Sequence, residues 1–181
     1  MPNKSKPKLT QLQQDILEFL FAHPTTTFHG RELARAVNVS APAIAKALPD
    51  LQKQELISVK KGIVLSIKLN RDNEHIFSLK RVANLKALYE SDVISVLSKE
   101  FPGTVIILFG SYAFGEDIES SDIDIAIIGA KEKDLDLSKY DKLLFHTINL
   151  DFFQSLSVIP KNLQISIING IVLKGALHET V

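Results

Sequence analysis

A segment in the second half of the chain constrains its fold more than any other feature. An apolar, partly β-branched run at residues 105–109 ends at Gly110 and Ser111, and a second apolar run begins ten residues later at Asp122 and Asp124. Short apolar runs of this kind predict buried strands. Gly110 permits a sharp turn and a close approach to a ligand, and Ser111 can cap a following helix. The segment therefore predicts two core strands joined through a turn and a short helix.

The two carboxylates of this segment indicate a cation site. Asp122 and Asp124 are one residue apart, so they point to the same face of a strand. Close carboxylates repel each other unless a cation lies between them, and Mg²⁺ or Mn²⁺ suits such hard oxygen ligands and usually also holds substrate phosphates. Free N–H groups at the helix start after Gly110 attract phosphate. The alternative is a chance pair of acids on a surface strand.

The Gly-Ser-x10-Asp-x-Asp pattern, with its flanking strands, resembles the minimal nucleotidyltransferases of the DNA polymerase β superfamily. The resemblance covers residues 91–175 and implies a small mixed sheet with helices packed on it. It implies transfer of an NMP, AMP in the first place, from an NTP such as ATP to a hydroxyl acceptor. It also implies that Asp122 and Asp124 bind Mg²⁺ or Mn²⁺, and that Gly110, Ser111 and Gly115 bind the nucleotide.

A later acid matches the third carboxylate of this family. Asp151 is the one acid in the apolar run at residues 148–153. The resemblance implies that it joins Asp122 and Asp124 as a catalytic metal ligand. Two metal ions held in this way would activate the attacking hydroxyl and stabilise the leaving pyrophosphate. A solvent-facing strand residue is the alternative interpretation of Asp151.

One residue of the loop departs from the family's pattern. Many minimal nucleotidyltransferases carry Arg immediately before the second glycine, where this chain has Phe114 before Gly115. An Arg there could contact the triphosphate, and Phe114 does not offer that contact. The acids that follow, Glu116, Asp117 and Glu119, are expected to be solvated.

The first half of the chain has a different pattern. Residues 9–70 contain three stretches with helical spacing, followed by alternating apolar residues around a Lys-Lys-Gly turn, which is typical of a β-hairpin. Thr10 and Ser40 are expected to cap the first and third helices. Three helices and a hairpin resemble a winged helix-turn-helix domain, whose third helix enters the major groove while the wing contacts the DNA backbone.

The resemblance implies DNA contacts from the third helix and the wing. The candidate residues are Ser40, Lys46, Lys60, Lys61 and Lys68. Lysines on a wing typically meet phosphates. The third helix is poor in Arg, Asn and Gln, the usual base readers, and Pro49 is expected to kink or shorten it. The alternative is a winged helix used for dimerisation or protein docking.

Charge is divided between the halves of the chain, although the formal net charge is zero. Residues 1–90 carry 14 Lys and Arg against 8 Asp and Glu, whereas residues 91–181 carry 7 against 13. A basic half is consistent with nucleic acid and an acidic half with a bound cation. No apolar run approaches the length of a membrane span, and the lack of cysteine excludes disulfides and thiolate metal sites. A cytoplasmic protein without membrane contact is expected.

These patterns predict an α+β chain of two domains. A connecting helix at residues 71–90 joins the winged helix to the nucleotidyltransferase domain at 91–175. The expected function is nucleotidyl transfer that the winged helix targets or regulates. The acceptor classes are a protein hydroxyl, as in antitoxins that modify a HEPN-type toxin, an RNA end or a small molecule. The alternative is a DNA-binding transcriptional regulator whose nucleotidyltransferase domain senses nucleotide or mediates assembly without turnover. A homodimer is expected by analogy with other winged helices.

Overall fold

Two separate sheets, each with its own helices, organise the chain in the computed structural model, which describes residues 9–177. One compact unit ends at Ile76 and a second begins at Phe77. No helix in the described range is long and apolar enough to cross a bilayer. The fold is α+β, as the sequence predicted, and each unit is described by itself below.

The first unit has the element order of a winged helix-turn-helix domain. Its elements are α1 (Gln11–Ala22), β1 (Phe28–His29), α2 (Gly30–Ala36), α3 (Ala41–Lys53), β2 (Ile57–Lys60) and β3 (Ser66–Leu69). The wing strands β2 and β3 are antiparallel, and β1 adds a short third strand beside β3. The two-residue strand β1 was not predicted, because so short a segment shows no periodicity.

The helix caps and core of this unit follow from local sequence. Thr10 accepts from the backbone N–H of Gln13 in a capping box, and Ser40 caps α3, both as predicted. The fully buried core side chains include Ile16, Leu20, Leu33, Leu51 and Ile67. Each contributes about 1.5–3 kcal/mol by leaving water.

Of the two expected effects of Pro49, a kink or a shorter helix, the second does not occur, since α3 continues through Pro49 to Lys53. Pro49 is exposed, and its ring therefore removes one backbone hydrogen bond on the solvent side of the helix. The neighbouring side chains of Leu48 and Leu51 are buried in the core. Their burial outweighs the loss of that bond, which explains why the helix does not stop.

The second unit is built on a four-stranded mixed sheet of order β6-β5-β4-β7. Its strands are β4 (Val105–Phe109), β5 (Ile123–Ile128), β6 (Ile148–Phe153) and β7 (Ile171–Lys174). Strand β5 pairs with β6 in parallel, and β4 pairs with both β5 and β7 antiparallel. Its helices are α4 (Glu74–Glu90), which belongs to this unit from Phe77 onwards, α5 (Val93–Glu100), α6 (Gly110–Phe114), α7 (Ser138–Leu144) and α8 (Lys161–Ile168).

The two faces of this sheet pack against different helices. On one face, alternate side chains such as Ile106, Leu108 and Ile125 form the main core with residues of α4, α5, α6 and α7. On the other face, Ile107 and Ala126 belong to a smaller cluster with residues of α8 and its preceding loop. Since side chains alternate along a strand, Asp124 lies on the same face as Ala126. The predicted site is therefore on the face with the smaller core.

Candidate active site at the Gly110–Asp124 turn

The turn at Gly110 lies directly beside the Asp124 carboxylate. Phe109 at the end of β4 is paired with Asp124 of β5. Gly110 follows Phe109 directly, so the pairing places it close to the Asp124 side chain. Gly110 has a φ of 74°, and a Cβ atom at this position would lie 2.6 Å from Asp124 Oδ2. Both the positive φ and the close approach require glycine. The Gly110 turn and the Asp124 carboxylate thus lie close together where the sequence predicted a ligand.

Asp124 and Asp151 lie on the same face of adjacent parallel strands. Asp124 is paired with Asn149, and Ala126 with Asp151, so these four side chains share one face. Burial raises the pKa of the Asp151 carboxyl above its usual value, and the negative charge of Asp124 raises it further. Like charges therefore repel across the site, a repulsion that a bound cation would relieve. Asp122 immediately precedes β5 and is exposed.

The available donors fit a hard divalent cation that the substrate helps to hold. Within residues 9–177, no group of three or more His, Cys, Asp or Glu side chains is arranged to hold a metal ion alone. Mg²⁺ is usually bound through one or two carboxylates together with substrate phosphates and water. Asp124 and Asp151 form such a pair, and Asp122 offers a further oxygen donor at the exposed start of β5.

Asn149 is a polar residue of this face that the sequence analysis did not single out. Its Nδ2 atom donates a hydrogen bond of 3.4 Å to Asp124 Oδ1. The signal was present in the sequence, because Asn149 precedes Asp151 by two residues and therefore shares its strand face. Asn149 orients the carboxylate whose other oxygen faces Gly110.

Ser111 lies in the first turn of helix α6, and Gly115 is the C-cap that follows the helix. The expectation that Ser111 caps this helix is wrong. The helix begins at Gly110, and its N-cap is Phe109. Ser111 is half-buried next to Gly110. Gly115 is buried, and a Cβ atom there would lie 2.2 Å from the carbonyl oxygen of Phe77. Close packing of α4 accounts for the glycine at position 115.

Asp117 is buried, so the expectation that this loop acid is solvated is wrong. Its side chain forms an ion pair with Lys80 of α4, and the two side chains are 1% and 2% exposed. Asn84, also on α4, donates to Asp117 Oδ1 at 2.8 Å and to the carbonyl oxygen of Tyr112 at 2.9 Å. The loop between α6 and β5 is thereby fastened to α4.

The same cluster extends to the start of β6 and to helix α6. His146 Nε2 lies 3.8 Å from Asp117 Oδ2, and His146 Nδ1 lies 2.7 Å from the carbonyl oxygen of Ser121. Burial, and secondly the charge of Asp117, raise the pKa of the Tyr112 hydroxyl above its ordinary value. These contacts hold the backbone immediately before Asp122.

The DNA-contact candidates of the first unit are all exposed. They are Ser40, Lys46, Lys60, Lys61 and Lys68. The Ser40 hydroxyl accepts from the backbone N–H of Ala43 at 3.3 Å, so its first role is to cap α3. Lys60 ends β2, and Lys68 lies on β3 beside Ser58. The wing and the third helix thus present their lysines to solvent.

Comparison with known proteins gives a family for the second unit. Residues 91–176 match the family model described as polymerase beta, nucleotidyltransferase. A search of curated proteins finds no match. The matched range contains the Gly110 turn, the paired strands β4 and β5, and all three candidate carboxylates.

The similar solved structures include bacterial regulators. The adhesin competence repressor AdcR from Streptococcus pyogenes is 26% identical, with 52% of this chain and 69% of that chain covered and a TM-score of 0.38. A variant of Lactococcus lactis ZitR is 25% identical, with coverages of 55% and 67% and a TM-score of 0.39. A DNA complex of Staphylococcus aureus MepR is 18% identical, with coverages of 51% and 77% and a TM-score of 0.38.

At these TM-scores, the winged-helix assignment depends on the chain's own element order and strand pairing. The assignment of the second unit depends on the family match and on the glycine and carboxylates that the fold brings together. Residues 91–176 are therefore a domain of the polymerase β nucleotidyltransferase family, which in this chain follows an N-terminal winged helix-turn-helix domain.

Proposed function

We propose that the second unit transfers an NMP, AMP from ATP in the first place, to a hydroxyl acceptor with Mg²⁺ or Mn²⁺ as cofactor. The observation that carries this proposal is the close approach of the Gly110 turn to the Asp124 carboxylate. A nucleotide that binds here would meet the half-buried turn and the carboxylate pair at once. The family match of residues 91–176 supports the same reaction.

Different residues of the site would bind the cation and orient its carboxylate ligands. Asp122, Asp124 and Asp151 would hold the cation, which would neutralise triphosphate charge and polarise the reacting oxygens. Asn149 holds the Asp124 carboxylate through its Oδ1 atom and leaves Oδ2 towards Gly110. Gly110 has no side chain, so the Asp124 carboxylate can lie close to the turn that the phosphates would contact.

The acceptor is a hydroxyl group of a protein, an RNA end or a small molecule. A HEPN-type toxin is the protein acceptor that the antitoxin-like interpretation implies. In each case the winged helix would bring the transferase to its target or regulate it. We also propose that the chain works as a homodimer in the cytoplasm.

Substitution of Asp122 by Ala tests the proposed reaction. With ATP labelled at the α-phosphate, Mg²⁺-dependent transfer of label to an acceptor is expected to fall by at least about 100-fold, because a metal ligand is lost. Thermal stabilisation of the chain by Mg²⁺ and ATP is expected to decrease as well. The measurements are gel autoradiography and a melting curve with each NTP.

Asp134→Ala is a matched control for this substitution. Asp134 is an exposed acid that follows the opposite end of β5, so its removal changes the charge equally but leaves the site intact. It should keep both labelling and stabilisation. Equal activity of the parent chain and Asp122→Ala would refute the proposal.

The exposure of the wing lysines favours DNA binding as a second candidate function. In this alternative the chain is a transcriptional regulator that binds duplex DNA, and the nucleotidyltransferase domain senses nucleotide or mediates assembly without turnover. Lys60 and Lys61 on the wing would meet phosphates, while Ser40, Lys46 and Lys68 lie on or near the DNA-facing surface.

Neutralising Lys60 and Lys61 together tests this alternative. The double alanine variant is expected to bind duplex DNA more weakly at low salt. The slope of log affinity against log salt should fall in magnitude by about 2, since two phosphate contacts are lost. Fluorescence anisotropy over a salt series measures both effects. The control variant, Lys161→Ala with Lys174→Ala, removes two exposed charges from the other unit. It should change neither the affinity for duplex DNA nor the salt slope.

A further inference from the structure

The segment that builds the candidate site contains no cationic side chain. Residues 105–130, which include β4, α6, β5 and the loop between α6 and β5, have no Lys or Arg. A triphosphate keeps negative charge even after it binds one divalent cation, and sites that hold it generally supply Lys or Arg. If this unit binds a triphosphate, the cation must come from an element outside this segment.

Helix α4 supplies such a cation beside α6. The Arg81 guanidinium carbon lies 6.0 Å from the centroid of the Phe114 ring, within the range of a cation–π contact. The Arg81 backbone nitrogen is also close to the loop, since a Cβ atom on Gly115 would lie 2.7 Å from it. Both the backbone and the side chain of Arg81 therefore adjoin the end of α6.

The position of Phe114 relates Arg81 to the candidate site. Phe114 follows Gly110 by four residues in α6, so the two lie on the same helix face. Helical side chains lean towards the N-terminus of their helix, which directs the Phe114 ring back towards Gly110. We therefore expect a group that lies over this ring to be on the side of α6 where Gly110 approaches Asp124.

The guanidinium of Arg81 has donors to offer a ligand. Across residues 9–177, no hydrogen bond or ion pair engages its side chain, and the side chain is half-buried. A guanidinium stacked on an aromatic ring keeps its N–H groups free at its edge, where they can donate to phosphate oxygens. The neighbouring Lys80 is instead buried against Asp117, which fixes the rotation of α4 and hence the direction of Arg81.

We infer that Arg81 binds the terminal phosphates of the nucleotide and makes the site select triphosphates over monophosphates. This inference rests on the proposed function. The Phe114 ring acts as the platform that holds the guanidinium over the turn. The triphosphate contact is thus made from α4, although the chain has Phe114 in the loop where many relatives have Arg.

Nucleotide affinities of the full chain test this role. In Mg²⁺, Arg81→Ala is expected to weaken ATP binding about 10- to 100-fold, because bonds to a charged group are lost, and to change AMP binding less than about twofold. Isothermal titration with ATP, ADP and AMP measures this split. Arg81→Lys keeps the positive charge but loses the paired N–H donors of the guanidinium. Its ATP affinity should therefore lie between those of the parent chain and Arg81→Ala. Lys99→Ala, an exposed charge on α5, should bind like the parent.

A relocation variant separates phosphate contact from a structural role. Arg81→Ala combined with Phe114→Arg returns a guanidinium to the same side of α6 and is expected to restore most of the ATP preference. Equal weakening of ATP and AMP in Arg81→Ala, or unchanged ATP binding, would overturn the inference while leaving the proposed function intact. A parent chain that binds no nucleotide would overturn both.

Discussion

Asp117→Ala is expected to destabilise the second unit by about 3–5 kcal/mol, because it removes the carboxylate that compensates a buried ammonium group. Lys80 and Asp117 are almost fully excluded from water, and Asn84 also donates to Asp117. A single domain is stable by only about 5–15 kcal/mol, so this loss is a large part of the total. The melting temperature should fall by about 10 °C or more.

Two controls identify burial as the cause of this effect. Lys133 and Glu100 form an ion pair of 2.5 Å in the same unit, but their side chains are 53% and 37% exposed. Lys133→Ala should therefore cost less than about 1 kcal/mol. Lys80→Met combined with Asp117→Leu replaces both charges by apolar groups and should recover most of the loss. Similar melting temperatures for Asp117→Ala and Lys133→Ala would show that the Lys80 pair is accessible to water.

Gly110→Ala is expected to reduce nucleotidyl transfer by about 100-fold through displacement of the Asp124 carboxylate. The new Cβ atom would lie 2.6 Å from Asp124 Oδ2, so the carboxylate must move. A shift of about 1 Å in a reacting or positioning group can cost about 100-fold in rate. The positive φ of 74° adds backbone strain of about 1–3 kcal/mol. Initial rates with labelled ATP and a melting curve measure the two effects.

Gly103→Ala is the matched control for this substitution. Gly103 has a φ of 75°, almost the same as Gly110, but a Cβ atom there meets no other atom within 4 Å. Both variants should lose stability through strain, and Gly110→Ala should lose transfer as well. Comparable transfer by the two variants would mean that the Gly110–Asp124 contact does not position the reacting groups.

The strands and helices could be predicted because their signals are local. The β4 and β5 strands appear as short apolar runs, and Thr10 and Ser40 cap their helices as expected. The face shared by Asp124 and Asp151 also follows from strand alternation once the two strands are paired. The roles of these carboxylates as metal ligands stay predictions.

At two positions a local preference was outweighed by the surrounding structure. Pro49 does not end α3, since buried leucines on both sides hold the helix together. Ser111 does not cap α6, because the β4–β5 pairing places Gly110 in a turn and the helix starts there. In both cases the local preference of one residue contributed less free energy than the packing or strand pairing of its neighbours.

The sequence by itself determined the α+β class, the winged helix and the strand–turn–strand unit that brings Gly110 and Asp124 together, because apolar spacing, caps and turns depend on residues near each other in the chain. Only the tertiary structure decided that Asp117 is buried with Lys80, 37 residues away, and that the Arg81 guanidinium lies over the Phe114 ring. Lys and Asp are normally exposed, so no local pattern marks the pair. These contacts exist because α4 packs closely against the loop at Gly115.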